Sequence, residues 1–185
     1  HGRLRCHTLE AGLQRLDGGA MFGVVPRTLW SRRIAPDDRN RIPLAMRCLL
    51  VEHPDGLVLI DSGLGNKEDP KFIDIYGIEN TGTPGPTHLE DALRELGHIP
   101  ADIRWVINTH LHFDHAGGNT TAVDLPGGDR EVRLTFPNAT YVVQRGDWLA
   151  KIATAVSSSG LTRTPIFILL APLPELGRFS SGCQS

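Results

Sequence analysis

Paired cysteines are missing from this 185-residue sequence. Cys6, Cys48 and Cys183 are widely spaced and form no C-x-x-C pair. Neither a disulfide framework nor a zinc–thiolate site is expected, and free thiols point to a reducing compartment, the cytoplasm. Long apolar runs are missing too. Ile166–Ala171 is far too short to cross a bilayer. Charge of one sign is also lacking: 19 Lys+Arg against 21 Asp+Glu give a net charge of -2. That balance leaves no basic field to hold nucleic acid or an anionic membrane. No repeat is visible. Gly63 and Gly65 are not followed by the Lys-Ser/Thr of a phosphate loop, and Ser62-Gly63 lacks the G-x-S-x-G elbow of a serine hydrolase.

What is present suits one globular unit: 40% hydrophobic and 22% charged residues, broken by 20 Gly and 13 Pro. Ala45–Val51 and Leu57–Ile60 are apolar runs joined by His53-Pro54-Asp55-Gly56, which predicts a β-hairpin. The second run stops at Asp61-Ser62-Gly63-Leu64-Gly65, and residues 66–86 read as a loop rich in Gly, Pro, Asn and Asp. Thr87-His88-Leu89-Glu90 fits a capping box, with Glu90 reaching back to the Thr87 amide. It starts a helix to Leu96 that Gly97 stops. Trp105–Ile107 reads as a short buried strand and Thr140–Gln144 as a later one. A helix is expected over Asp147–Val156. Strands alternating with helices argue for an α/β layered domain.

The informative segment is Thr109-His110-Leu111-His112-Phe113-Asp114-His115-Ala116-Gly117-Gly118-Asn119. In extended backbone, His110, His112 and Asp114 project to one side, and Leu111 and Phe113 to the other. His115 follows, where Gly117-Gly118 allows a sharp turn. Imidazole nitrogens and a carboxylate oxygen suit Zn²⁺, and also Fe, Mn or Co. The Arg27–Arg47 arginines are expected to be a solvated set paired with Asp37 and Asp38. The apolar residues Met21, Phe22, Val24, Val25 and Trp30 fit a flap or core equally.

His110-x-His112-x-Asp114-His115 resembles the H-x-H-x-D-H motif of the metallo-β-lactamase-fold hydrolases, in their lactonase-like and general hydrolase branches. Leu59-Ile60-Asp61-Ser62-Gly63 and the strand before the motif supply matching context. The resemblance spans about Arg5 to Ala150. It implies an αββα sandwich with two metals, expected to be Zn²⁺. His110 and His112 would hold the first, Asp114 and His115 the second, with Asp61 supporting them from behind. It further implies a metal-bound hydroxide that attacks a small ester or lactone, with Asp114 passing a proton to the leaving group. A glyoxalase II-type thioesterase and a β-lactamase are the alternatives within the family. A non-catalytic fragment or metal-binding module is the alternative of another class.

The family draws further His and Asp ligands from the second half of its fold, whereas no histidine follows His115 here. The expectation is therefore the N-terminal portion of such a domain over residues 1–163, and an irregular, truncated or out-of-frame tail over 164–185. The partners expected are a small-molecule substrate and a second copy or complementary chain, with neither nucleic acid nor membrane.

Overall fold

A computed structural model describes residues 4–147. The tail at 164–185 and nearly all of the helix expected over Asp147–Val156 lie outside the described residues.

The hairpin is present and longer than its apolar runs: β2 (Arg41–His53) pairs antiparallel with β3 (Gly56–Ile60), Leu50 opposite Leu59. β1 (Arg5–Asp17) pairs antiparallel with β2 on its other side. Mixed polarity hid that strand, because one of its faces meets solvent. After β3 the chain crosses over through α3 (Pro70–Tyr76) and α4 (His88–Glu95) and returns as β4 (Ile103–Ile107), parallel to β3. β7 (Thr140–Val142) adds parallel to β4 and completes a five-stranded sheet in the order β1-β2-β3-β4-β7. Between them lie α5 (Phe113–Ala116) and the antiparallel pair β5 (Thr120–Asp124) and β6 (Arg130–Leu134).

α4 is amphipathic and buries Leu89 and Leu93 in the core with Leu50, Leu59, Ile103 and Val106. Thr87 caps it as expected, its hydroxyl accepting the Glu90 N–H. Glu90, however, bonds the Thr87 hydroxyl and not its amide. Residues 66–86 are not all loop. Asp69 accepts the Phe72 N–H and Pro70 sits in the first turn, so α3 forms there. Its Phe72 and Tyr76 rings lie against Phe113, with centroids 5.0 Å away in each case. β5 and β6 are a second sheet that sequence reading did not place, and Leu134 and Phe136 carry it into the shared core.

α1 (Gly18–Phe22) and α2 (Arg27–Trp30) follow β1. Trp30 is core, stacked on Phe22, whereas Val24 is fully exposed. Arg41 bonds Asp37 as expected, whereas Arg39 bonds Asp74 and Arg47 bonds Glu10. No helix among the described residues is long and apolar enough to cross a membrane.

The loop after β3 runs in contact with the turn after α5. Ser62 N–H donates to His115 O and Gly118 N–H to Gly63 O. A Cβ on Gly118 would stand 2.1 Å from the Ser62 carbonyl oxygen. This glycine has ordinary backbone angles, so it serves close approach and not a sharp turn. Gly118→Ala is expected to lower stability by about 2–3 kcal/mol, since neither backbone can yield freely. Thermal unfolding checks it, and an unchanged midpoint would show that the two segments can part.

Lys67 straps the same turn, its ammonium donating to Gly117 O and Thr120 O. Burial pushes its pKa down to about 8. The unfolded chain keeps this proton to higher pH than the folded chain does. Stability contributed at Lys67 therefore rises as pH climbs through about 8 towards the unfolded value near 10.4. Urea unfolding should show wild type gaining on Lys67→Met between pH 7.5 and 10; a gap that shrinks over that range would contradict it.

Candidate metal centre

β3 and β4 are parallel, so their carboxyl ends reach the same edge of the sheet, and the motif begins where β4 stops. The expected extended run is correct only as far as His112. From Phe113 the chain is helical, with His112 as N-cap, so Asp114 and His115 arrive from the first turn of α5. The donors still converge. His110 lies with its ring centroid 4.6 Å from that of His112 and 4.0 Å from that of His115. Asp114 Oδ2 is 3.6 Å from His115 Nε2. Leu111 is buried and Phe113 packs on the core, which anchors the motif from behind.

Asp61 reaches this group from the end of β3. It is 8% exposed and has φ +59°, a left-handed conformation that a short polar side chain tolerates better than most. Its Oδ2 meets His115 Nδ1 at 2.8 Å, and its Oδ1 accepts the Thr109 N–H at 2.8 Å. The Thr109 hydroxyl donates to the same carboxylate and lies 3.1 Å from His110 Nδ1. That hydroxyl has one proton. With it given to Asp61, the oxygen accepts from His110 Nδ1–H. Both rings are thereby held as Nδ1–H tautomers, leaving the Nε2 lone pairs of His110 and His115 for a ligand.

The turn is fixed by a buried polar set that sequence reasoning did not assign. His115 O accepts from Ser62 N, Ser62 Oγ and Asn108 Nδ2, and Asn119 Nδ2 donates to Asn108 Oδ1. Thr109 and Asn108 had no signal beyond adjacency to the motif. Cys48 lies under the site on β2, where burial, then the Asp61 charge, raises its thiol pKa, so it is no nucleophile. A cavity of ≈ 350 Å³ opens beside the donors, lined by Gln14, Leu44, Met46, Asp61, Asp114 and His115. A larger one of ≈ 550 Å³, between β1 and α4, shares no lining residue with the histidine cluster.

The donor set suits a divalent cation by type and spacing. His110 Nε2 and His112 Nδ1 are 3.1 Å apart, within hydrogen-bond range. Two nitrogens on one tetrahedral zinc at about 2.0 Å would stand about 3.3 Å apart, so a small displacement converts one arrangement into the other. Among the described residues, no three His, Cys, Asp or Glu side chains form a ready-made metal group.

A mixed sheet bearing a second sheet, with clustered H-x-H-x-D-H donors at its edge, is part of an αββα sandwich. A model of the metallo-beta-lactamase superfamily matches residues 43–127. The chain is 28% identical over 127 residues to an N-acyl homoserine lactonase of Bacillus cereus, covering 59% of this chain and 51% of that protein. It is 33% identical over 106 residues to the N-acyl homoserine lactonase AttM of Rhizobium johnstonii, covering 54% and 34%. A solved structure of a probable metal-dependent hydrolase from Staphylococcus aureus superposes with TM-score 0.71 and 31% identity, covering 94% of this chain and 62% of that one. This chain is similar to the metallo-β-lactamase superfamily over just under half of its length. It spans about half the length of the Bacillus cereus relative.

The Asp61–Thr109–His110 relay is directly testable. Thr109→Val keeps the shape and the backbone bond to Asp61 but frees His110 Nδ1. Divalent-metal affinity should fall about 10–100-fold, as for other groups that orient metal-binding histidines. Calorimetric titration with Zn²⁺ measures it; unchanged affinity would remove Thr109 from the site.

Proposed function

We propose that the protein containing this chain is a metal-dependent hydrolase of a small lactone or ester. The observation that carries the reading is the convergence of His110, His112, Asp114 and His115 in front of Asp61. His110 and His112 would hold one divalent cation, Asp114 and His115 a second, with zinc suited to both pairs. Bound there, such cations supply Lewis acidity and an acidified water. Asp61 sets the histidine tautomers. Asp114, whose Oδ2 accepts from Gln14, keeps Oδ1 to take the proton that the acidified water would give up and pass it to a leaving group. Two relatives being named N-acyl homoserine lactonases favours a lactone over a thioester or a β-lactam. The free thiols of Cys6 and Cys48 agree with a cytoplasmic setting.

The test is to purify residues 1–185, titrate Zn²⁺, and assay lactone, thioester and β-lactam hydrolysis. Each donor pair falls short of the three protein ligands that a catalytic zinc normally keeps. Weak binding and slow turnover are expected, with the lactone hydrolysed fastest. His110→Ala/His112→Ala should reduce zinc uptake sharply. Uptake unchanged in that variant would overturn the site, and thioester outpacing lactone would overturn the substrate class.

A further inference from the structure

β1 is an irregular strand. Its pairing with β2 runs from Arg5↔Glu52 to Glu10↔Arg47 and resumes at Leu13↔Ala45, one residue out of step. The slip falls at Ala11-Gly12, where Gly12 has φ +105° and a Cβ would stand 2.7 Å from Asn80 Oδ1. Leu9 and Ala11 are buried, so plain alternation would send Leu13 inward and Gln14 outward. An extra residue reverses that parity, and bulges are known to re-aim side chains in this way. Gln14 is only 3% exposed.

What the bulge achieves is a contact across 100 residues of sequence. Gln14 Nε2–H donates to Asp114 Oδ2 at 2.9 Å. The amide orientation is forced, because an ionised carboxylate only accepts. Gln14 Oε1 is consequently buried without a hydrogen-bond partner among the described residues. An orphaned buried carbonyl costs stability, and an apolar side chain of equal length would avoid that cost. The fold thus keeps a destabilising group for the sake of one N–H bond to a single carboxylate.

We propose that Gln14 is a positioning residue for Asp114: the bulge delivers a neutral donor that holds Oδ2 and fixes the carboxylate in one rotamer, with Oδ1 left for ligand and proton. This rests on the hydrolase reading of Asp114. An amide suits the task chemically. A lysine or arginine there would add positive charge against an incoming cation, and a serine would not span the distance from β1.

Gln14→Met keeps the length without either polar end, and Gln14→Asn keeps the amide but is one methylene shorter. In the metal-free full chain, three-bond couplings of the Asp114 side chain report its rotamer. One rotamer is expected in wild type and averaging in both variants, while the thermal midpoint of Gln14→Met stays level or rises. Cobalt titration followed by d–d absorption should show about 10–100-fold weaker binding in both. Asp114 retaining one rotamer in both variants would overturn the proposal, as would a lower Gln14→Met midpoint with shift changes spread along β1 and β2. If wild type takes up no cobalt, the metal reading falls, and the rotamer measurement still decides the role of Gln14.

Discussion

The site hangs on the carboxylate of Asp61. It ends β3 in a left-handed conformation that a β-strand residue would ordinarily avoid, and strain of that kind persists only where surroundings over-determine it. Here they do. One oxygen takes the Thr109 backbone N–H, and the pair together take the Thr109 hydroxyl and the His115 ring. Those partners lie 48 and 54 residues away, so the carboxylate also ties the end of β3 to the end of β4 and the start of α5. A single group thus joins two strand ends and sets two histidine tautomers. An asparagine could make at most part of that set, since its amide nitrogen cannot accept.

The sheet order explains why such a bond is available. Parallel strands need a long crossover, and the crossover through α3 and α4 returns β4 so that β3 and β4 end at one edge. Beyond that edge the two chains continue side by side, through the Ser62–His115 and Gly118–Gly63 backbone bonds, with no side chain between them at Gly118. Backbone contact at this distance restrains the motif turn more tightly than side-chain packing could. The buried Asn108, Asn119 and Ser62 then satisfy the polar groups that this approach removes from water.

Much of this was legible in the residues. The hairpin followed from its Pro-Asp-Gly turn, α4 from its cap and apolar spacing, and the donor cluster from its composition. Local signals produced each of these. What escaped was set by distant partners. β1 looked polar because only one of its faces is covered, and its bulge lies against Asn80, far along the chain. α3 was obscured by the Gly and Pro around it, although Asp69-Pro70 is a fair helix start. Alternation was extended too far into the motif, because nothing local says that Phe113 begins a helical turn. Gln14 could not have been found from sequence at all: the parity that aims it inward exists only when β1 pairs with β2.

The motif divides its labour by side. Leu111, Phe113 and Ala116 bind the segment to the core, while Asp61 and the His115 carbonyl contacts hold it from below. The outward atoms, His110 Nε2, His112 Nδ1, His115 Nε2 and the Asp114 carboxylate, face one another, with Gln14 as the further partner of Asp114 Oδ2. In metal-free form His110 Nε2 and His112 Nδ1 share one hydrogen bond of ordinary length, which a cation can replace at small cost. The expensive part, orienting two imidazoles in the right tautomer, is already met by the fold before any cation arrives. Affinity is then governed by how many further donors join each pair. Preorganisation by Asp61 decides which nitrogens are offered, and these two controls are physically separate.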